Sequence, residues 1–215
     1  MPRMFDLLRT KVESPSIPAF VSGQKQLFAA AKSRNIDNLE AVQQKYDQSL
    51  EIVTKLLQQA GQDGEQDLDL AEYADQAYSI VDAFTNQLIL GDSLLEIIAG
   101  QYQPDEFLPR HLINVCILSL ALGLEMKLNK SRLHILGVAA LLHDLGILSV
   151  RELVAQPRAL TPGQLNKVRR HVTCSIKAIS QTKGFSNDTI RTTIIQHHER
   201  ANGLGYPEGL AQEEI

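Results

Sequence analysis

Six histidines occur in 215 residues, and five of them fall in a pattern that core packing does not require. His143 is followed directly by Asp144 at the end of the apolar run "LHILGVAALLHDLG". His197 and His198 are adjacent and precede "ERANGLGYPEG", a loop with three glycines and a proline. His171 lies on a helix opened by a capping signal, and His111 begins another. Imidazole nitrogen and carboxylate oxygen together make a ligand set for a borderline divalent metal, and a carboxylate bridges two ions. Adjacent residues on a helix point about 100° apart, so a pair such as His197–His198 does not chelate one ion as an i, i+4 pair does. It reaches two ions, or holds one ion while its partner contacts a phosphate. Two such pairs predict a centre with more than one metal, with His143 and Asp144 at its catalytic heart. Paired ions activate a bridging water and stabilise the attacking and leaving oxygens of a phosphodiester. His134 has no motif around it and reads as structural. Cys174, one turn beyond His171, reads as a small buried apolar residue rather than a thiolate ligand.

The elements that must position these side chains are helical. From Leu39 the apolar residues run Val42, Tyr46, Leu50, Val53 and Leu57, in steps of three and four. "AGQDGEQD" (60–67) interrupts the rhythm, which resumes at Leu70 and runs through Tyr73, Ala77, Val81, Phe84, Leu88 and Leu95. Such spacing makes one apolar stripe per helix. Residues 1–103 are therefore expected to form a helical module, its stripes serving core packing or a homodimer or sensory interface. "GQYQPDEFLPRH" (100–111) reads as a junction, and helices are expected near 110–127, 131–146, 162–182 and 187–199. Thr161, Pro162 and Gln164 compose a capping box with proline in the first turn. No alternating apolar run supports a sheet, so the expected class is all-α.

Composition narrows the function. A net charge of −4 argues against a nucleic-acid polymer as partner. Two cysteines, Cys116 and Cys174, make no disulfide framework, and a reducing cytoplasm is expected. The first residues carry no apolar stretch of signal-peptide length, and "VCILSLALGL" (115–124) is too short to span a bilayer. A soluble protein with no membrane partner is expected.

The stretches "ALLHDLG", "ELVAQPRALTPGQLNKVRRH" and "QHHERANGLGYPEGL" resemble the HD-GYP subgroup of the HD-domain metal-dependent phosphohydrolases, over about residues 108–215. The resemblance implies an HD-domain helical bundle at 104–215 with two or three divalent metal ions, iron or manganese being usual. It implies phosphodiesterase activity on cyclic di-GMP in bacterial second-messenger signalling. It further implies that His143, Asp144, His171, His197 and His198 are metal ligands, with Asp144 bridging and His111 serving a third ion. Gly203, Gly205, Tyr206 and Pro207 would form the signature loop beside the cyclic dinucleotide. This sequence departs from the pattern at five positions. Ile147 stands where the family has a phosphate-approaching lysine, Asn202 where it has aspartate, and Leu204 where it has a small residue. Ser175 replaces a glycine, and Asn114 an arginine. The family pattern continues beyond "GLAQEEI" with a further metal-ligating aspartate, so an HD-GYP domain incomplete at its C-terminus is expected. The alternative is a catalytically degenerate module that binds nucleotide or a protein partner without turnover. Another HD hydrolase, acting on a nucleotide or alarmone, leaves the Gly-Tyr-Pro loop unexplained.

Overall fold

The apolar steps of three and four become buried stripes. The computed structural model describes residues 36–62, 71–91, 93–100, 107–156, 158–180, 183–185 and 187–215. The N-terminal 35 residues, most of the 60–67 interruption and the expected division at 103/104 lie outside the described residues. In α1 (Ile36–Gln62) Val42, Tyr46, Leu50, Val53 and Leu57 are buried, while Leu39 stays exposed. In α2 (Ala71–Leu90) Tyr73, Ala77, Val81 and Phe84 are buried. The expected run to Leu95 breaks after α2, and α3 (Ser93–Gly100) buries Leu94 and Ile97 instead, with Leu95 half-buried. Residues Leu39–Ile215 make one compact unit, so these helices contribute to the same core as those that follow. Among the described residues all regular structure is helical, apart from an isolated antiparallel bridge between Asn202 and Ala211.

The helical pair at the centre is α4 (Phe107–Glu125) and α5 (Lys130–Leu142), which pack extensively against each other. Between them Lys127 takes φ 57°, and the Lys127 and Leu128 amides donate back to Leu124 and Gly123, each at 2.9 Å. That is a Schellman stop with lysine in the position glycine usually holds. Asn129 then caps α5, its Oδ1 accepting from the Arg132 amide at 3.0 Å. Helix α5 packs on α2, α4 and on α9 (Asp188–Gln196), and at Gly137 it lies close against Val81 of α2. A Cβ there would lie 2.7 and 2.8 Å from the two Val81 methyls. His134 has the structural role expected of it. Its Nε2 sits 2.7 Å from Asp82 on α2, whose carboxylate also meets Lys130 at 3.2 Å. Burial opposes ionisation of Asp82 less than the His134 hydrogen bond favours it, so its pKa is lowered.

Two segments, Phe107–Glu125 and Lys130–Val154, have the length and mean hydropathy (1.6 and 1.8) of membrane-crossing helices. In the fold the first buries Leu112, Ile113, Cys116, Ile117 and Leu120 in the core. The second is interrupted after Leu142.

Two expected helices end early, and the cause is visible. The helix expected over 131–146 stops at Leu142, and a 3₁₀ helix, Leu145–Val150, then leads into the single turn α6 (Arg151–Val154). Ser175 ends it. Its hydroxyl donates to the His143 carbonyl at 2.7 Å and accepts from the Gly146 amide at 2.8 Å. A continuing helix would pair the His143 carbonyl with the Ile147 amide, which turns back to Asp144 at 2.9 Å instead. The helix expected over 162–182 is two: α7 (Pro162–Arg169) and α8 (His171–Ser180), with Arg170 between them. The Thr161 capping box is present on both sides, at 3.3 and 3.0 Å. A 3₁₀ turn (Lys183–Phe185) then precedes α9, which Asn187 caps.

Replacing Gly137 by alanine forces the α2–α5 crossing apart. It is expected to destabilise the fold by about 1–3 kcal/mol, read by urea unfolding. Gly163→Ala on α7, where a Cβ meets nothing within 4 Å, is expected to be neutral or slightly stabilising. Equal effects at both sites would contradict the close crossing.

Candidate metal centre

Three helix endings aim imidazoles at one carboxylate. His143 caps the C-terminus of α5, and His197 does the same for α9. His171 follows the end of α7 and opens α8. A helix leaves its last carbonyls without backbone donors, and each of these histidines takes one. His143 Nδ1 donates to Ala140 at 2.8 Å, His171 Nδ1 to Val168 at 2.7 Å, and His197 Nδ1 to Ile194 at 2.6 Å. A carbonyl only accepts, so Nδ1 carries the proton and Nε2 of the neutral ring is a bare lone pair.

Those lone pairs converge on Asp144. Oδ1 lies 3.1 Å from His171 Nε2 and 3.6 Å from His197 Nε2. Oδ2 lies 3.3 Å from His143 Nε2 and 3.4 Å from His111 Nε2. His111, expected at a helix start, sits one turn inside α4 with Phe107 stacked on it at 5.5 Å. Burial alone would raise the Asp144 pKa. Where the surrounding imidazoles carry a proton on Nε2, their hydrogen bonds outweigh burial and lower the carboxylate pKa. His143 shows the reverse balance. Burial opposes its charge, and the Asp144 carboxylate raises its pKa nonetheless.

This donor set fits a cation. Asp144 Oδ1 is buried without a hydrogen-bond partner, as expected where lone pairs rather than N–H groups face it. The His171 and His197 Nε2 atoms, 3.4 Å apart, repel each other as neutral rings unless a positive charge lies between them. Ligands at about 2.1 Å from one ion stand about 3 Å apart at right angles, close to these separations. Two groups of donors meet the geometric requirement: His111, His143 and Asp144, and Asp144, His171, His197 and His198. Asp144 belongs to both. The C-termini of α5 and α9 add partial negative charge, which favours a cation. The Cys174 thiol is not among these donors and Cys174 is half-buried rather than buried.

The Gly-Tyr-Pro loop closes one side. Tyr206 stacks on His198 at 4.5 Å and 21°, and meets His171 edge-on at 6.3 Å. His198 has its pKa lowered to about 4, first by burial and then by the neighbouring imidazoles of His197 and His171. It is therefore neutral, with a lone pair, at neutral pH. Burial raises the Tyr206 pKa, as does the Asp144 charge, while Arg169 opposes them. Gly205 lies so close to the preceding turn that a Cβ would stand 2.5 Å from Glu199 Cα. Gly203 and Gly209 both take φ +70°, a conformation open to glycine at little cost. Asn202 accepts from the Leu204 amide at 3.1 Å, the Asx turn that an aspartate makes equally well. The Tyr206–Pro207 bond is cis.

Sequence reasoning missed the residues that hold these parts in place. The Glu199 carboxylate accepts from three successive amides, Glu208 at 2.7 Å, Gly209 at 3.2 Å and Leu210 at 2.9 Å. The signal was an acid immediately after the histidine pair and before a glycine-rich loop. Ser175 could be read only as a departure, not as the stop for α5. Gly146 is part of the same contact, since a Cβ there would collide with the His171 carbonyl.

The family model described as HD domain matches residues 94–215. The cyclic di-GMP phosphodiesterase PA4108 of Pseudomonas aeruginosa is 31% identical over 140 residues, 65% of this chain and 34% of that protein. The cyclic di-GMP phosphodiesterase PdeB of Borreliella burgdorferi is 37% identical over 106 residues, 49% of this chain and 27% of that protein. The chain thus spans about a third of the length of the first of these relatives and about a quarter of the second. The solved structure of Bd1817, an HDG"Y"P protein from Bdellovibrio bacteriovorus, superposes with a TM-score of 0.66 at 17% identity, over 92% of this chain and 63% of that one. That likeness is one of fold.

Glu199→Ala removes the common acceptor of three loop amides. The Glu208, Gly209 and Leu210 amides are expected to exchange about tenfold or more faster, with α5 and α9 unchanged, in hydrogen-exchange mass spectrometry. Unaltered loop protection would refute the anchoring role.

Proposed function

Because the chain belongs to the HD domain family, with the sequence pattern of its HD-GYP subgroup, we propose that it is a metal-dependent phosphodiesterase that hydrolyses cyclic di-GMP. The observation that carries this reading is the Asp144 centre: one half-buried carboxylate, four Nε2 atoms within 3.6 Å of it, and three of those rings fixed through Nδ1. The names of PA4108 and PdeB support the substrate class.

On this reading His111, His143 and Asp144 hold one ion, and Asp144, His171, His197 and His198 hold another, iron or manganese matching the nitrogen and carboxylate donors. Such ions, when bound, supply Lewis-acid activation of water and neutralise charge on phosphoryl oxygens. The chain's own residues do the positioning. The helix-end carbonyls hold three imidazoles in the tautomer that presents Nε2, so no ring has to reorient on binding. Asp144 offers one oxygen to each group. Gly203, Gly205 and Pro207 shape the loop that sets Tyr206 against His198 at the substrate side, and Glu199 keeps that loop in place.

The test is anaerobic reconstitution with manganese or iron, followed by metal analysis and chromatography of the linear product from cyclic di-GMP. His171→Ala is expected to bind metal at least tenfold more weakly and to lose turnover by a hundredfold or more. A variant that keeps its full metal content would overturn the ligand assignment. Wild-type chain that holds metal and cyclic di-GMP without turnover would instead establish the nucleotide-binding module favoured by Ile147, which leaves no cation at that position of the 3₁₀ helix.

A further inference from the structure

Arg169 ends α7 and is exposed, and its guanidinium lies over an aromatic ring. Its central carbon lies 5.3 Å from the Tyr206 centroid. Tyr206 in turn stacks on His198 and touches the edge of His171, so the cation stands one ring away from the Asp144 centre. Two cations elsewhere are paired, Lys55 with Glu51 and Lys130 with Asp82. Among the described residues Arg169 makes neither an ion pair nor a hydrogen bond, and the Tyr206 hydroxyl makes no hydrogen bond.

A cation–π contact does not engage a guanidinium's N–H groups, which lie in its plane. Two parallel N–H groups match the spacing of two phosphate oxygens. The Asp144 carboxylate is enclosed by imidazoles, and among the described residues no carboxylate pairs with Arg169. We propose that Arg169 is a substrate-binding residue whose guanidinium takes the non-bridging oxygens of a phosphodiester held at this centre, with Tyr206 as the platform that orders it. The identity of the ligand rests on the phosphodiesterase reading above; the anion site itself does not.

The experiment is calorimetric titration of the manganese-loaded chain with cyclic di-GMP and, separately, with inorganic phosphate. Wild type is compared with Arg169→Ala, Arg169→Lys and Arg170→Ala, and metal content is measured in each. Arg169→Ala is expected to keep its metal and bind both anions about tenfold or more weakly, the worth of a charge-assisted contact. Arg169→Lys keeps the charge but not the fork, and falls between. Arg170→Ala, the exposed neighbour, binds as wild type. Undiminished binding by Arg169→Ala overturns the proposal. So does an equal loss in Arg170→Ala, which would mean a general field, and so does loss of metal from Arg169→Ala, which would mean a structural role. Metal-loaded wild type that binds neither anion overturns it as well. Arg169-dependent binding without hydrolysis of cyclic di-GMP upholds the anion site and removes the phosphodiesterase reading.

Discussion

Three hydrogen bonds from imidazole Nδ1 to helix-end carbonyls are the constraint on which the centre depends. Helix termination is normally a problem of unpaired backbone groups. Here it is also the means of orientation, because the carbonyls of Ala140, Val168 and Ile194 dictate where each ring carries its proton. The lone pair at the opposite nitrogen then has a fixed direction. A ring held only by side-chain packing would leave both tautomers open, and a carboxylate between such rings would select imidazolium or N–H donors. With Nδ1 already protonated, neutral rings bring only negative density to Asp144, and the arrangement needs positive charge to complete it.

That constraint explains why the helices must end where they do. Were α5 to continue by one turn, the Ala140 carbonyl would be taken by the Asp144 amide and His143 would lose its partner. The Ser175 hydroxyl takes up the His143 carbonyl and the Gly146 amide, two groups that a continuing helix would use. Gly146 allows it, since only a residue without Cβ lets α8 come so near. Helix α8 therefore does two things at one contact. It stops α5 at the right residue, and it brings His171, at its own first position, to Asp144. The Gly137–Val81 crossing and the His134–Asp82 pair set α5 against α2, so the strength of the core is transmitted to the ligand positions.

Much of this was legible in the sequence. The stripe from Val42 to Leu57 was buried as spaced, because a period of 3.6 tests nothing but which face is apolar. The HD pair, the HH pair, His171 and His111 do meet, and His134 does stand apart. The helix ends at Leu142 and Arg169 were not legible. Apolar periodicity runs through both, and the competitor that breaks each one comes from elsewhere: a hydroxyl 29 residues from Gly146 in one case, an imidazole claiming the Val168 carbonyl in the other. Glu199 and Arg169 were missed for a different reason. Their roles lie in what they touch across a turn or between helices, and one charged residue in a polar loop carries no periodic signal.

The departures from the HD-GYP pattern divide according to what the replaced group would do. Asn202 keeps the amide-accepting oxygen that the turn requires, and Ser175 exchanges close approach for two hydrogen bonds, so the backbone path survives both. Asn114 ends in a different bond. Its Oδ1 accepts from Tyr46 of α1 at 2.9 Å, which ties α1 to the helix that carries His111, less than one turn away. Ile147 removes a positive charge close in sequence to Asp144, and its half-buried side chain returns nothing polar. An anionic phosphodiester at a metal centre still gains from a cation beyond the ions themselves, and Arg169 offers one from α7, ordered by Tyr206 rather than by a motif. The requirement is for a positive group at the correct place, and the chain position that supplies it is free to differ.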